Sequence, residues 1–569
     1  MGISSVTAQQ ESDSGSPHPE PRKTTVAKLF STLKPRRGKE ISSYARSRPT
    51  RDSFSGNESS EVVSKGGSDP KAEERSLESY YVPIATYEGR HRYDPKATWS
   101  QAEETSLIRK LDLRVCAYVC FMFFALQLDR ANITQALSDN MLKDLGMNTN
   151  DYNTGQTIFY VSFLVAELPS QLVSKKLGPD NWIPIQMVSW SIVASCQSRL
   201  TGRATFWLTR SLLGIIEGGF IPDVILYLSY FYSSKELPIR LSFFWGAYGL
   251  TFIISAFLAY GILHLGGTHG LHGWQWLFAL EGTLTALIGI VSWFYLPPSP
   301  YQTASFFRGK EGWFTEREEV IMANRIIRDD PSKGDMHNRQ AVGLRLLWQA
   351  LKDYDMWPIY LLGFTWTIPN QCATAYLTLI LRSLNFDAFQ TNLLTVPAYT
   401  LFILQLIFWT WVSEKINNRF LIVMICQIYI LPLLVGLETL PAGSGFAWSR
   451  YVLNMMLVGF PYVHAIIVAM TSRNAGSVRT RAVGSALYNM CVQASNIISS
   501  NIYRDQDKPF YRTGNKVLLG LVAYNICLII SAKFYYKWRN SSREKIWGRM
   551  SDAERVHYLE TTSESGNKR

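Results

Sequence analysis

The chain has 569 residues, of which 47% are hydrophobic and 18% charged, with a formal net charge of +12 and a mean hydropathy of −0.01. A soluble protein of this length would spread its apolar residues over several domain cores, but here they come in long blocks, so the mean conceals two kinds of sequence. The Lys and Arg excess lies in tails and in links flanking those blocks, which excludes a nucleic-acid surface and fits the placement of basic residues beside membrane spans.

Residues 1–105 are rich in Ser, Pro, Lys, Arg and Glu and contain no apolar run of the signal-peptide kind, so they read as a disordered cytosolic tail. From Leu113 to Trp538 the sequence predicts twelve apolar runs, each near the ~20 residues that cross a bilayer as a helix. The first six lie near 113–137, 154–173, 182–198, 205–230, 241–263 and 274–295; the second six near 357–381, 388–412, 419–438, 448–470, 483–502 and 516–537. This is the pattern of an all-α polytopic membrane protein with 12 transmembrane helices in two six-helix halves, 106–298 and 357–539. A cytosolic central loop, 299–356, separates them and a cytosolic tail, 540–569, follows. Even span parity, with Arg109, Lys110 and Arg114 before the first span and Lys533, Lys537 and Arg539 around the last, puts both termini in the cytosol.

The links carry fewer signals. Lys175-Lys176-Leu-Gly178-Pro179 is a tight basic turn on the cytosolic side. The turn His264–Gly273 holds three histidines, which read as solvated because no carboxylate accompanies them in the turn. Thr315-Glu-Arg-Glu318 reads as a capping box that opens a charged surface helix. The seven cysteines (116, 120, 196, 372, 426, 491 and 527) form no CxxC or Cys/His cluster and read as reduced packing residues. No nucleophile–base set, metal cluster or phosphate loop supports an enzyme or a bound cofactor.

The chemistry lies in charges within the apolar runs. A charge at the centre of a membrane helix costs roughly 2.5 to 3.5 kcal/mol on insertion scales, so such residues face a partner or an aqueous cavity. The first run contains Asp129 and Arg130, and the fourth contains Arg210, Gly214 and Glu217 at i, i+4 and i+7, which share one helix face. A structural Arg–Glu bridge pinning helices is the plain reading; a site for an anion and a proton is the other. Asn489, Gln493, Asn496 and Ser500 share one face of the eleventh run, and Asn370, Gln371, Thr374 and Tyr376 follow Pro369 in the seventh. Such faces either line a cavity or bond to neighbouring helices. His464, after Pro461, reads as a satisfied bundle residue.

Leu128-Asp129-Arg130-Ala-Asn132 and the Arg210-x3-Gly214-x2-Glu217-Gly-Gly motif resemble the anion:cation symporter family within the major facilitator superfamily, over about Arg109 to Arg539. Asp144-Leu-Gly-Met-Asn-Thr-Asn-Asp151, Glu167-Leu-Pro-Ser-Gln-Leu-Val-Ser-Lys175 and Gly219-Phe-Ile-Pro222-Asp223 are similar to the fungal allantoate permease group, nearest to its sulfate and sulfonate carriers. The resemblance implies a major facilitator fold and a monomeric plasma-membrane symporter, with the proton as coupling ion and a small anion as substrate. It also implies that Arg130 and Arg210, with Asn370, Asn489 and Gln493, bind the anion. Asp129 and Glu217 would carry protons, and Glu167, Lys175 and Lys176 would serve gating, Glu167 standing in for the usual acidic residue before the basic turn, which is missing here. Sulfate, sulfite, thiosulfate or a sulfonate is the first expectation for substrate. Allantoate or a vitamin-type carboxylate (pantothenate, nicotinate, biotin) is the alternative, and a nutrient receptor signalling through its long tail is a further one.

Overall fold

A computed structural model describes residues 82–83, 87–233, 236–329, 348, 351–416, 418–441, 444–474, 478–551 and 554. The first half is built from α1 (Gln101–Ser138), α2 (Thr149–Leu177), α3 (Pro179–Cys196), α4 (Arg203–Phe231), α5 (Leu237–Leu263) and α6 (Gly273–Tyr295). A surface helix, α7 (Glu316–Asp329), follows. The second half contains α8 (Trp357–Thr365) and α9 (Ile368–Ser383), then α10 (Ala388–Ile416), α11 (Arg419–Thr439), α12 (Ala447–Val458) with α13 (His464–Asn474), α14 (Val478–Ser499) and α15 (Arg512–Arg549). Counting α8–α9 and α12–α13 as one pass each, these are the twelve passes of a major facilitator fold. Eight helices are long and apolar enough to cross a membrane on length and composition: α1, α2, α4, α5, α6, α10, α11 and α15.

The remaining passes are interrupted or polar, for readable reasons. The seventh breaks at Trp366–Thr367, just before Pro369, and the tenth is non-helical from Gly459 to Val463, around Pro461. A proline lacks an N–H and clashes with the preceding turn, so both breaks fall where the ring weakens the ladder, although Pro169, Pro184, Pro397 and Pro432 are held within continuous helices. Neither break faces lipid alone: Gln427 Nε2 donates to Trp366 O (3.3 Å), and Gln405 Nε2 donates to Gly459 O (2.7 Å). Freed carbonyls inside a bundle are satisfied by neighbouring helices, as hydrocarbon requires.

The ordered part begins earlier than the composition predicts. Ser100 and Glu103 form a capping box (Glu103 N to Ser100 Oγ 3.2 Å, Ser100 N to Glu103 Oε2 2.7 Å) that starts α1 well before the apolar run, and the preceding stretch packs on α7. Arg92 pairs with Glu319 (2.8 Å), Lys110 with Glu318 (2.7 Å), and α7 buries Ile321, Met322, Ile326 and Ile327 against the first half. The Thr315–Glu318 capping box is present, with Thr315 N donating to Glu318 Oε2 at 2.9 Å. Thus residues 87–105 are structure and not tail. Residues 1–81 and most of 330–350 lie outside the described residues.

The expectation of a histidine turn without a carboxylate is also corrected. His272 Nδ1 lies 3.4 Å from Asp144 Oδ2, and the same carboxylate accepts from Trp274 Nε1 (2.9 Å). Asp139 accepts from Trp274 N (2.8 Å), so the link after α1 folds back onto the start of α6. Among the described residues no metal-binding group forms.

The halves meet along α5–α10 and α2–α14. Hydrogen bonds latch them where α1 ends and α2 begins. Asn153 Nδ2 donates to Tyr503 O (2.8 Å) and its Oδ1 accepts from Tyr376 OH. Thr378 Oγ1 donates to Thr134 O (2.7 Å), Asn392 Nδ2 to Ser138 Oγ (3.1 Å) and Asn501 Nδ2 to Thr157 Oγ1 (2.7 Å). Stacked rings, Phe252 on Tyr399 (4.5 Å) and His264 on Phe389 (3.8 Å), continue the closure along α5 and α10. Asn153→Ala removes two of these bonds. At roughly 0.5–1.5 kcal/mol each, that shifts the closed population by about tenfold. Spin-label distances across this mouth should therefore broaden toward an open form, and unchanged distances would show that the latch carries no weight.

Candidate functional site

The site forms where α1, α2 and α4 meet. Gly214 and Gly218 bring α4 against α2 so closely that a Cβ on Gly214 would stand 2.4 Å from Phe159 O, and one on Gly218 2.6 Å from Phe163 O. Small residues allow such backbone approach in a bilayer. The consequence is that the charged residues of α4 reach α1 and α2 directly.

Glu217 is buried and accepts from Arg130 Nε at 2.6 Å, joining α4 to α1. Arg210, on the same face of α4, does not pair with Glu217. Its Nη2 donates to Gln156 Oε1 (2.8 Å), and Gln156 Nε2 donates to Tyr152 OH (2.7 Å). Both guanidiniums lie over the Phe159 ring, Arg210 at 4.3 Å and Arg130 at 5.6 Å, and Arg130 also covers Phe163 at 5.0 Å. The π system of this ring attracts both cations. Arg130 Nη2 and Arg210 Nε are buried without a hydrogen-bond partner. Arg130 is 19% exposed against 1% for Glu217, so the cation is the more accessible member of the pair.

Asp129, one residue away and therefore turned about 100° around α1, points to α3 instead of to Glu217 of α4. Its Oδ2 accepts from Trp190 Nε1 of α3 (3.0 Å), and its Oδ1 has no hydrogen-bond partner. Glu167 is buried near Asp223, whose Oδ2 accepts from Ser170 Oγ (3.5 Å). Lys176 is exposed, and the Lys175 side chain lies outside the described residues.

The second half contributes polar atoms of uneven availability. Asn370 is buried with both amide atoms unpartnered, as are Trp366 Nε1 and His464 Nε2. Tyr248 stacks on Tyr462 (6.5 Å between centroids), and Trp245 meets His464 (5.1 Å), so aromatic rings from both halves separate these groups. Asn489 and Gln493 are half-buried, and Gln493 Oε1 accepts from Asn496 Nδ2 (3.1 Å), so part of that polar face is satisfied within its own helix.

The sequence reading overlooked Gln156, Trp190 and Glu281. Glu281 is a lone acidic residue inside an apolar run, the same signal that picks out Asp129, and it could have been found that way. Gln156 and Trp190 carry no such mark, because a Gln near a helix start and a Trp in a span are ordinary.

Residues 119–500 match the model of the Major Facilitator Superfamily, and the chain belongs to it. An uncharacterized transporter of Saccharomyces cerevisiae is 46% identical over 485 residues, 85% of this chain and 89% of the relative. An uncharacterized transporter of Schizosaccharomyces pombe is 26% identical over 84% of this chain and 92% of its own length. Among solved structures, a bacterial homolog of the human lysosomal transporter Spinster, in an inward-facing unoccupied conformation, has a TM-score of 0.54 at 12% identity, covering 80% of this chain and all of that one. The nucleoside transporter NupG has a TM-score of 0.52 at 12% identity, over 74% and 99%. The protein is a multi-pass membrane transporter, not an enzyme.

Gly214→Val should force α2 and α4 apart. Overpacking of this kind costs about 1–3 kcal/mol, which should appear as a lowered Tm of the purified protein together with weakened transport. An unchanged Tm would mean that the helices can separate without loss.

Proposed function

We propose that the protein is a proton-coupled symporter that takes up a small anion at the plasma membrane, as a monomer with both termini in the cytosol. The observation that carries this reading is the Arg130–Glu217 pair beside the unpartnered donors of Arg130 and Arg210. With Glu217 ionised, the three groups sum to one positive charge; with Glu217 protonated, they sum to two. An anion that binds Arg130 must displace Glu217, and a carboxylate left buried without its cation is costly. A proton on Glu217 removes that cost, so proton and anion bind as a pair.

The first substrates to consider are sulfate, sulfite, thiosulfate and sulfonates, which the permease-like motifs around Asp144, Glu167 and Asp223 favour. Three or four oxygens around one centre suit two guanidiniums held on one ring. Asn370 would complete the site from the second half when the halves close around the anion. Rocking of the two halves about a site near mid-membrane is the general way such folds expose it alternately.

The test is uptake of labelled sulfate, at acidic and neutral outside pH, into cells lacking their own sulfate carriers, with taurine, allantoate and pantothenate as competitors. Acid-stimulated uptake blocked by taurine is expected; competition by allantoate or pantothenate alone would move the substrate to the carboxylates. Arg130→Ala should raise KM on the order of a hundredfold, since truncating one partner of a buried charge pair costs about 2–5 kcal/mol. Glu217→Gln should stop proton-driven accumulation while sparing anion exchange, and accumulation at the wild-type level would remove Glu217 from the coupling role.

A further inference from the structure

A carboxyl apart from the Arg130–Glu217 pair remains unexplained. Glu281, in the middle of α6, is 1% exposed, and neither of its oxygens has a hydrogen-bond partner. Its surroundings follow from how α6 packs on α3. The next residue, Gly282, lies so close to Ser195 that a Cβ there would meet the Ser195 nitrogen at 2.7 Å. One turn after Glu281, Thr285 accepts from Ser191 Oγ at 2.8 Å. The neighbour of Ser191 is Trp190, whose indole donates to Asp129. Glu281 therefore faces the seam of α1 and α3 on which Asp129 lies.

No cation relieves them. On α1 the adjacent cation, Arg130, is turned to Glu217, and Glu217 itself adds a negative neighbour to Asp129. Between Trp182 and Cys196, α3 has no charged residue. Along α5, residues 241–263 bring only the phenols Tyr248 and Tyr260, and α6 has no second charge between Gly273 and Tyr295. Taking an ion out of water costs several kcal/mol even after relaxation, and two unpaired carboxylates side by side add their repulsion. The doubly ionised state is therefore excluded from this interior.

We propose that Glu281 is a proton-binding residue that forms, with Asp129, a second proton site in the wall of the first half, holding at least one proton. The proton comes from bulk water on the acidic side and returns to water on the other, so nothing else is consumed. Trp190 favours charge on Asp129, which leaves the shared proton on Glu281. When a second proton arrives, Asp129 becomes neutral beside Arg130, and the field on the anion-binding guanidinium changes through α1. This transport consequence rests on the coupled reading of Arg130 and Glu217, whereas the proton site itself does not.

Infrared spectra of the purified full-length protein in lipid nanodiscs, recorded from acidic to alkaline pH, read protonated carboxyls directly. A protonated-carboxyl band persisting at neutral pH is expected in the wild type and in Glu217→Gln. Its Glu281 component should be lost in Glu281→Gln and shifted in Glu281→Asp, the latter covering the case in which the Gln variant fails to fold. A band unchanged in both Glu281 variants would overturn the proposal. In cells, Glu281→Gln removes the carboxyl with which Asp129 shares its proton, so the pH dependence of acid-stimulated uptake should shift by about a unit, and an unmoved profile would count against the site. If wild-type uptake ignores pH while the band behaves as expected, the coupling reading fails and the proton site stands.

Discussion

The structure depends on one constraint: a charge inside hydrocarbon must be paired, hydrated or neutralised. The first half contains several such charges and treats each differently. Arg130 and Glu217 pair across α1 and α4; Arg210 leans on Gln156 and on the Phe159 ring; Asp129 turns to the indole of Trp190; Glu281 finds nothing. These different solutions define what each group can do. A paired charge can exchange its partner, a cation over a ring keeps free donors for a ligand, and a carboxyl with no partner can only be held by a proton.

Helix approach makes this arrangement possible. Gly214 and Gly218 let α4 lie directly on the backbone of α2, which places Arg210 and Arg130 over the same ring instead of at opposite sides of a wider gap. The second half is built on a different rule. There, prolines break the seventh and tenth passes, and the groups near the breaks, Asn370, Trp366 and His464, keep unpartnered polar atoms among aromatic rings. The two halves therefore contribute unlike chemistry, charge from one and neutral polarity from the other.

Much of this was legible in the sequence. Span number follows from apolar run length, because hydrocarbon thickness is strict; Pro369 and Pro461 mark the two breaks, but Pro169, Pro184, Pro397 and Pro432 sit within continuous helices, so proline alone does not fix where a pass opens. The importance of Asp129, Arg130, Arg210 and Glu217 follows from charge within apolar sequence. Partner choice does not. The i, i+7 spacing suggests an Arg210–Glu217 relation on one face, yet Glu217 pairs with Arg130, since residues seven apart lie two turns away along the axis while a neighbouring helix is nearer. The capped start of α1 at Ser100 escaped because a tail composition and an amphipathic surface helix look alike until a partner such as α7 is known.

The latch at the α1–α2 face and the charge cluster belong to one argument. Tyr152 connects them: its hydroxyl accepts from Gln156, the partner of Arg210, and its ring meets Tyr376 edge-on at 6.0 Å, while Tyr376 donates to Asn153 of the latch. An anion drawn to Arg210 Nε would load the same guanidinium that holds Gln156, and any shift of Gln156 moves the bond to Tyr152. Packed interiors respond to such shifts by switching between arrangements more readily than by stretching. Occupancy of the cation pair is thereby able to reach the contacts that close the two halves, through side chains already in contact and without displacement of a whole helix as the first step.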